Sequence, residues 1–372
     1  MLYKSLNKLS YIRVATGLYS HWDSIIKTDK EILKWIKNSK YKKSSKVVLS
    51  SIEEVIYTLK DSIKNGDSES LISKKIYDQL NSLFPKREVR IGGNGNNMGR
   101  TLFELGITPL VSYPIRSEKL MKASPEFKIV VGNNIKTTKE AIRKGDPEYD
   151  HIIFESEKWR NIFSWDLMSS RGIFDEDFLK FAFNPKLIDV AIISYAHLLL
   201  PKYKKRTDII VEYLKNKRPK IHLEFGLGCK ESMKYAMKKF AEYNACDSWG
   251  LDEKECKIYL KANSESIKDL IESALKAVKE YNLKRICIHS SRFAFSISKH
   301  DIKKEIDALT TGCFFASLKA SDKSGLERGK IIKKRLNNYN FCLVPSFFIE
   351  HPKKLTGLGD AFTAVQAVKI LS

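Results

Sequence analysis

The second half of the chain alternates apolar, strand-like segments with amphipathic stretches of helical length, and this pattern constrains the fold most. The strand-like segments occupy residues 190–194, 220–224, 248–251, 285–289 and 342–345. The helical stretches occupy residues 202–216, 230–244, 253–260, 265–281 and 323–337. Strands that alternate with helices favour a parallel sheet covered by helices on both faces. We therefore predict an α/β fold with a mainly parallel central sheet.

The first part of the chain is less regular. Residues 9–15 and 89–91 look like short strands, residues 107–113 form a further strand-like run, and residues 50–63 and 69–83 show helical spacing of apolar side chains. A chain of 372 residues is long enough for two or three domain-sized units, or for one large domain with a lid. The irregular front part suits a smaller, lid-like substructure.

A glycine turn with an acid lies near the end of the sequence. The stretch Thr356-Gly357-Leu358-Gly359-Asp360 follows an apolar segment at 341–347 and precedes a helix-like run at 361–371. Glycines let the backbone approach an anion closely, and the first N–H groups of a helix point at it. An aspartate there can accept a proton from a hydroxyl. The stretch predicts a phosphate cradle with a base; a glycine turn with Asp360 as a simple helix N-cap is the alternative.

Polar residues also stand at the carboxyl ends of several strand-like segments. In an open α/β sheet, ligands bind beyond the carboxyl ends of the strands. Carboxylates there suit a magnesium–nucleotide complex, since Mg²⁺ takes one or two carboxylates plus water and phosphate oxygens. Each residue also has a structural interpretation: Asp252 as a helix N-cap, for example, or His289 as a core histidine. The residues concerned are His222, Glu224, Asp252, Glu253, Glu255, His289, Ser290 and Asp360.

The net charge of +22 favours acidic partners such as nucleotides, sugar phosphates or nucleic acid. Basic clusters at 40–43, 202–206 and 215–218 support nucleic acid, but no RNP signature, zinc finger or evident helix-turn-helix accompanies them. The 43% share of hydrophobic residues excludes a disordered chain. The sequence has no Walker A motif and no protein-kinase glycine loop, so phosphoryl transfer would use another architecture.

The cysteines and the apolar segments indicate the compartment. Six cysteines are widely scattered without a CxxC pair, which disfavours a zinc ribbon and suits a reduced intracellular protein. The longest apolar stretch falls short of the ~20 residues that span a bilayer. The first residues lack the apolar core of a signal peptide. We therefore expect a soluble cytoplasmic protein without a membrane partner.

Five blocks of sequence follow one another across most of the chain. They are Ile91-Gly92-Gly93-Asn94 with Met98, Ile221-His222-Leu223-Glu224-Phe225, Gly250-Leu251-Asp252-Glu253-Lys254-Glu255, Arg285-Ile286-Cys287-Ile288-His289-Ser290, and Val344-Pro345 followed by Glu350-His351-Pro352 and Thr356-Gly357-Leu358-Gly359-Asp360. In this order they resemble the GGQ/GGN…M, HxE, GxNExE, HxHT and VP…ENP…GLGD motifs of the archaeal ADP-dependent phosphofructokinase/glucokinase family. The GLGD and HxE blocks are the most specific pair.

The resemblance implies a ribokinase-like fold and a kinase that uses Mg-ADP as phosphoryl donor and releases AMP. It implies a large nucleotide-binding domain built from residues 1–18, 95–115 and 180–372. The smaller α/β lid domain would comprise residues 19–94 and 116–179 and would bind the substrate. Mg²⁺ is the implied cofactor. The implied partners are ADP, AMP and a sugar or sugar-phosphate acceptor, with the chain a monomer or a small homo-oligomer.

The resemblance also assigns roles to single residues. Asp360 would be the catalytic base, and Glu224 and Glu255 would organise magnesium, directly or through water. The backbone of the glycine turn would hold the transferring phosphoryl group through Thr356, Gly357, Leu358 and Gly359. Nucleotide contacts would come from His222, Val344 and Pro345. Substrate contacts would come from Asp23, Gly92, Gly93, Asn94 and His289.

Three departures from the family pattern leave the acceptor open. His21-Trp22-Asp23 stands where the family has an Asn-x-Asp sugar clamp, Asp252 replaces an asparagine, and Asn94 stands where glucose-using members often have glutamine. The substrate could therefore be a compound other than glucose or fructose 6-phosphate. Three cations of the expected lid could bind a substrate phosphate or simply be solvated surface charges. They are Lys158, Arg160 and Arg171.

Other functions stay open on the sequence alone. A ribokinase-like kinase could use ATP and a sugar or nucleoside, because the GLGD block does not separate the two donors, although the HxE block favours ADP. A basic nucleic-acid-binding protein is a different class. A scaffold that keeps the fold and binds nucleotide without turnover is a third, favoured by the altered sugar clamp.

Overall fold

The computed structural model describes most of the chain. It covers residues 10–44, 48–85, 87–157, 159–165, 175–195, 202–215, 218–226, 230–263, 265–321, 326–327, 329–349, 352–353 and 356–372.

The strands of this part are, in chain order, β1 (Val14–Gly17), β2 (His21–Lys27), β3 (Val48–Leu49), β4 (Ser68–Ile72), β5 (Glu88–Gly92), β6 (Leu110–Val111), β7 (Lys128–Val131), β8 (Asn134–Thr137), β9 (Asp150–Glu155), β10 (Arg160–Ser164), β11 (Val190–Tyr195), β12 (Lys220–Phe225), β13 (Ser248–Asp252), β14 (Arg285–His289), β15 (Phe293–Ser298), β16 (Leu326–Glu327), β17 (Ile332–Leu336), β18 (Tyr339–Pro345) and β19 (Phe347–Phe348).

The helices are α1 (Lys30–Asn38), α2 (Ile52–Asn65), α3 (Lys74–Leu83), α4 (Asn94–Glu104), α5 (Glu118–Ala123), α6 (Glu176–Ala182), α7 (Tyr203–Leu214), α8 (Lys230–Glu242), α9 (Glu253–Tyr259), α10 (Ile267–Glu280), α11 (Ile302–Ser321) and α12 (Leu358–Leu371).

A large sheet contains most strands of the second half of the chain together with β1, β6, β7 and β8, while β16 and β19 pair separately in a two-stranded antiparallel sheet. The strand order of the large sheet is β17-β18-β15-β14-β13-β12-β11-β1-β6-β7-β8. From β14 through β7 every neighbouring pair is parallel, and the antiparallel pairs lie toward the two edges. This confirms the predicted α/β fold with a mainly parallel central sheet. The parallel strands place their carboxyl ends along one edge.

Apolar side chains cover both faces of this sheet. On β11, Val190 and Ile192 pack with apolar residues of α4 and α12. Ala191 and Ile193 belong instead to the cluster that includes residues of α7 and α8. Successive side chains of a strand point to opposite faces, so a strand that is apolar throughout can only be buried between two layers. Helix α12 is itself buried along most of its length.

A second, smaller sheet has the strand order β3-β4-β10-β9-β2-β5. On one face Ile26, Phe154 and Phe163 pack with apolar residues of α2 and α3. The opposite face is polar: Asp23 lies in register with His151 of β9 and with Arg90 of β5. One face therefore packs against its helices, and the other carries buried polar side chains such as Asp23 and His151.

The helix predicted over residues 323–337 is wrong. Residues 326–327 and 332–336 are strands, and β17 pairs with β18 in an antiparallel hairpin. The turn contains Asn337 with a φ of 54°, a left-handed conformation that asparagine tolerates better than most residues. The helix of this region is α11, Ile302–Ser321, which precedes the predicted one and which the sequence analysis did not identify.

The stretch 69–83, predicted as one helix, is a strand followed by a helix. Ser73 has extended backbone and accepts a hydrogen bond from the backbone N–H of Ile76 at 3.4 Å, so it is the N-cap of α3. Leu71 and Ile72 therefore lie on β4, although their spacing also matches a helix.

The two sheets take their strands from interleaved parts of the chain. Residues 116–179, which the family resemblance placed in the lid, contribute β9 and β10 to the small sheet and β7 and β8 to the large one. The division into a large domain and a lid stays a prediction.

Candidate functional site

The carboxyl ends of three adjacent parallel strands bring polar residues together. Glu224 near the end of β12 is in register with Gly250 of β13, and Asp252 is in register with His289 of β14. His289 Nε2 lies 2.8 Å from Glu224 Oε1. The expected convergence of these residues on one sheet edge is thus present.

Glu224 is surrounded by hydrogen-bond donors. Besides His289, its Oε2 atom lies 3.1 Å from His222 Nε2 and accepts a hydrogen bond from Thr363 Oγ1 of α12 at 3.0 Å. Burial opposes ionisation, but the charge of His289 and the hydrogen bonds from both histidines outweigh it and lower the pKa of Glu224 to about 2. Glu224 is therefore a carboxylate whose two oxygens are fixed in place.

The two histidines that contact Glu224 differ in their electrostatics. Burial lowers the pKa of His222, which is completely enclosed. Burial acts in the same direction on His289, yet the charge of Glu224 and the hydrogen bond to it outweigh burial and raise the pKa of His289. The pKa values of the two histidines that contact Glu224 are therefore shifted in opposite directions.

Gly250 leaves the space that the Glu224 side chain occupies. A Cβ atom added at Gly250 would overlap with Glu224 Oε2. This gives the glycine that starts the Gly-x-Asp-Glu-x-Glu block a structural reason at the site.

Asp252 and Glu255 begin helix α9 as a capping box. The Asp252 side chain accepts from the backbone N–H of Glu255 at 2.7 Å, and Glu255 Oε2 accepts from the backbone N–H of Asp252 at 2.8 Å. The interpretation of Asp252 as a helix N-cap is therefore confirmed. Burial first, and then the charges of Asp252 and Glu224, raise the pKa of Glu255 well above its ordinary value.

The donor set at this edge fits a hard divalent cation. The charges of Asp252 and Glu224 add to burial in raising the pKa of Glu255, so the three carboxyl groups lie close enough for repulsion to act on Glu255. A cation would offset this repulsion, and oxygen ligands are those that Mg²⁺ takes. The residues present therefore fit the magnesium that the sequence analysis expected.

Asp360 lies in the first turn of α12 beside the start of α4. Asn94 Nδ2 donates to one of its carboxyl oxygens and Asn97 Nδ2 to the other, each at 2.9 Å. Burial raises the pKa of Asp360, and the two amides and the charge of Arg160 act against it. The alternative assignment of Asp360 as a helix N-cap is wrong, because α12 begins at Leu358 with Gly357 as its N-cap.

The glycine turn brings Asp360 close to the Glu224 neighbourhood. Gly357 has a φ of 79°, which favours glycine, and a Cβ atom added at Gly359 would lie 3.3 Å from His289 Cε1. Thr356 precedes the turn, and its Oγ1 donates to Glu155 Oε1 of the small sheet at 3.1 Å. The first N–H groups of α12 are thus presented between the carboxylate cluster and the small sheet.

Of the predicted substrate residues, Asp23 and Gly92 lie on the small sheet and Gly93 and Asn94 lead from it into α4, whereas His289 ends β14 of the large sheet beside Glu224. The Asp23 carboxyl group lies directly over Gly92, where any side chain would overlap with it. Gly93 has a φ of 85° and packs against the backbone of Tyr19, which places Asn94 at the start of α4. Asp23, Gly92 and Asn94 therefore follow one continuous path toward Asp360.

Two histidines accompany Asp23. His21 Nδ1 lies 3.3 Å from Asp23 Oδ1, and the rings of His21 and His151 lie 3.7 Å apart with a tilt of 34°. Ligand atoms of the three buried side chains fall within 4.8 Å of one another. Burial, reinforced by His21, lowers the pKa of His151 well below its ordinary value. Nitrogen ligands of this kind suit zinc-like ions rather than Mg²⁺.

Several site residues escaped the sequence analysis. Asn97 and Thr363 contact the carboxyl groups of Asp360 and Glu224, and Glu155 and Arg90 lie on the polar face of β9 and β5. Asn97 lies between Asn94 and Met98 of the first sequence block, and its position three residues after Asn94 on a helix is the signal that both side chains face the same way. The others depend on strand register, which short-range patterns do not give.

Other predicted residues lie elsewhere or outside the described part. Val344 is buried in an apolar cluster with Cys287 and Phe362, so its side chain belongs to the core. Pro345 ends β18 beside Phe293 of β15. Arg160 lies on β10, 3.5 Å from Asp67. Lys158, Arg171, Glu350 and His351 lie outside the described residues.

Fold and site together define a class of protein, an α/β phosphotransferase in which an aspartate at a helix N-terminus faces carboxylates at the ends of parallel strands. The chain belongs to the ADP-specific phosphofructokinase/glucokinase family, because the conserved region of that family matches residues 12–335. The match ends before the glycine turn at 356–360.

Two phosphofructokinases match most of the chain. An ADP-specific phosphofructokinase from Pyrococcus horikoshii is 22% identical over 95% of this chain and 96% of its own length. The corresponding enzyme from Pyrococcus furiosus is 23% identical over 81% of this chain and 82% of its own. A solved ADP-dependent kinase in complex with fructose-6-phosphate and ADPβS, 17% identical, has a similar fold, with a TM-score of 0.81 over 100% of this chain and 96% of that chain.

Among the residues that the structure describes, no helix has the length and apolar character needed to cross a membrane.

Proposed function

We propose that the protein is an ADP-dependent kinase that transfers the terminal phosphoryl group of Mg-ADP to a hydroxyl of a sugar or sugar phosphate and releases AMP. The observation that carries the proposal is the placement of Asp360 at the start of α12, held by two asparagine amides, between the carboxylate cluster and the polar face of the small sheet. A base beside a helix N-terminus is what phosphoryl transfer to an alcohol needs.

In this mechanism the protein mainly positions the two substrates and neutralises the charge of the phosphate groups. Asp360 accepts the proton of the attacking hydroxyl. Its raised pKa makes the carboxylate a stronger base than an ordinary aspartate. The N–H groups that follow Gly357 and Gly359 bind the transferring phosphoryl group. Magnesium, when bound, neutralises phosphate charge, and Glu224 and Glu255 would hold it directly or through water.

The acceptor would lie against the polar face of the small sheet. Asp23 and Asn94 supply hydrogen-bonding groups there, and Arg90 and Arg160 supply positive charge for a phosphate. The relatives named phosphofructokinase, and the solved kinase with bound fructose-6-phosphate, make a sugar phosphate the first acceptor to examine. The histidine pair beside Asp23 is the feature that would change which acceptor the enzyme prefers.

We also propose a reducing, cytoplasmic location. The cysteines within the described residues are buried free thiols, as expected where thiols stay reduced.

The test is AMP release from Mg-ADP across a panel of sugars, sugar phosphates and nucleosides, with ATP as the rival donor. Wild type is compared with Asp360→Asn, which keeps the shape of the side chain but cannot take the proton. We expect AMP with one acceptor and a loss of about 10²–10⁴-fold in the variant. Activity with ATP alone would overturn the donor, and silence across the panel with ADP still bound would favour a scaffold.

A further inference from the structure

A continuous chain of buried polar side chains runs from helix α11 to Glu224. Arg285 Nε donates to both carboxyl oxygens of Glu305, at 2.9 and 3.1 Å, and Arg285 Nη1 donates to Ser248 Oγ at 2.8 Å. Ser248 Oγ lies 3.0 Å from His222 Nδ1, and His222 Nε2 lies 3.1 Å from Glu224 Oε2. The first four side chains are at most 1% exposed, so water does not compete with these bonds.

The chemistry of the partners decides where the protons are. Arginine only donates, so Ser248 Oγ accepts from Arg285 and can donate its own proton to His222 Nδ1, whereas the carboxylate of Glu224 can only accept from His222 Nε2. A ring nitrogen that accepts has no proton, so the imidazole carries its proton on Nε2 and donates it to Glu224. The opposite tautomer would set the lone pair of Nε2 against a carboxylate oxygen.

The remaining neighbours of His222 and Glu224 complete the network. Gln366 Nε2 lies 3.4 Å from His222 Nε2, so the Nε2–H tautomer requires the amide to be turned by 180°, which brings its oxygen, a buried atom without a hydrogen-bond partner as placed, against the ring N–H. Thr363 and His289 supply the other donors to Glu224.

We propose that Ser248, Arg285 and Glu305 are positioning residues: they fix His222 as the Nε2–H tautomer, and His222 in turn holds the Glu224 carboxylate in one orientation. The consequence for magnesium rests on the proposed function, in which Glu224 organises Mg-ADP. Outer partners that orient the ligands of a metal typically change its affinity or the activity by about 10–100-fold when removed.

The first experiment reads the tautomer directly, in the full chain, from ¹⁵N spectra of histidine-labelled protein, with the His222 signals assigned by their loss in His222→Asn. We expect a protonated Nε2 and an unprotonated Nδ1 in wild type. Ser248→Ala removes the donor to Nδ1 and should shift or mix these signals. Ser296→Ala is the matched control, because it removes a buried hydroxyl that donates to Glu305 at 2.7 Å on another branch of the same network.

The second experiment titrates Mg²⁺ into each protein with ADP present. We expect an apparent Mg²⁺ affinity about 10–100-fold weaker in Ser248→Ala and nearly unchanged in Ser296→Ala. A protonated Nδ1 in wild type, or identical behaviour of the two variants, would overturn the proposal. If Ser248→Ala does not fold, the wild-type spectrum still decides the tautomer. Failure of the wild-type protein to bind Mg-ADP would contradict the proposed function instead. The ¹⁵N spectra would still decide the tautomer of His222.

Discussion

At the scale of single residues, the site depends on carboxyl groups whose charge is set by their immediate neighbours. Glu224 and Asp360 lie near each other, yet the pKa of the first is lowered and that of the second is raised. The difference follows from the donors: two histidines face Glu224, whereas two neutral amides face Asp360. Nearby groups of the same type can in this way serve as a permanent charge and as a base.

Asn97→Ala should move the acidic limb of the activity profile toward higher pH. The amide of Asn97 stabilises the ionised form of Asp360, and its loss raises the pKa of that carboxyl further. A base works only when deprotonated, so activity is then lost at a higher pH. The measurement is kcat against pH, with Asn81→Ala, outside the site on α3, as control; an unchanged limb would argue against Asp360 as the base.

Glu224 should make stability depend on acid. Its pKa is about 2 in the folded protein and has a reference value of 4.5, so its contribution is present above about pH 4.5 and is lost as pH falls toward 2. We expect the free energy of unfolding of wild type to fall across this window more steeply than that of Glu224→Gln. Denaturant titrations at several pH values measure it, and equal slopes in the two proteins would contradict the prediction.

At the scale of elements, the sequence predicted best where local pattern and burial agree. The strands β11 to β14 and the helices between them are apolar in the way that a sheet covered on both faces demands, and they formed as predicted. The helix prediction for residues 332–336 was wrong because a short run with lysines fits a helix as well as an edge strand. Only the pairing with β18 makes this segment a strand. The hydrogen bond between Thr356 and Glu155 could not be predicted from local patterns either, because it joins residues far apart in sequence.

Gly357 at the start of α12 and Gly132 between β7 and β8 give a matched pair of glycine variants. Gly357→Ala and Gly132→Ala each place a Cβ at a positive φ, 79° and 61°, so each should cost about 1–2 kcal/mol of stability. A Cβ at Gly357 would also lie 3.2 Å from Asn97 Nδ2, an atom that fixes Asp360, whereas nothing lies within 4 Å of one at Gly132. Thermal melts should therefore shift alike while AMP release falls only in Gly357→Ala. Equal activity in both would show that the turn does not shape the site.

At the scale of the whole molecule, the small sheet meets the carboxylate edge of the large one through polar contacts. Thr356 binds Glu155 across the cleft, and Lys254 of α9 lies 3.8 Å from Asp67 of the small-sheet side. The Lys254–Asp67 pair is exposed, and exposed ion pairs are individually weak, whereas the Thr356–Glu155 hydrogen bond is partly buried. We propose that the two sheets open and close around a substrate, which would exclude water from the phosphoryl group.

Closure predicts a more compact molecule in the presence of both substrates. We expect the radius of gyration from small-angle scattering to fall when Mg-ADP and the acceptor are added together, and to fall less with either alone, because only the pair fills the space between the two sheets. Asp360→Asn allows the measurement without turnover. Asp67→Ala removes a contact across the cleft and should weaken the compaction, whereas Glu118→Ala, in an exposed pair with Lys122 away from the cleft, should not. An unchanged radius with both substrates bound would contradict a moving lid and favour a preformed cleft.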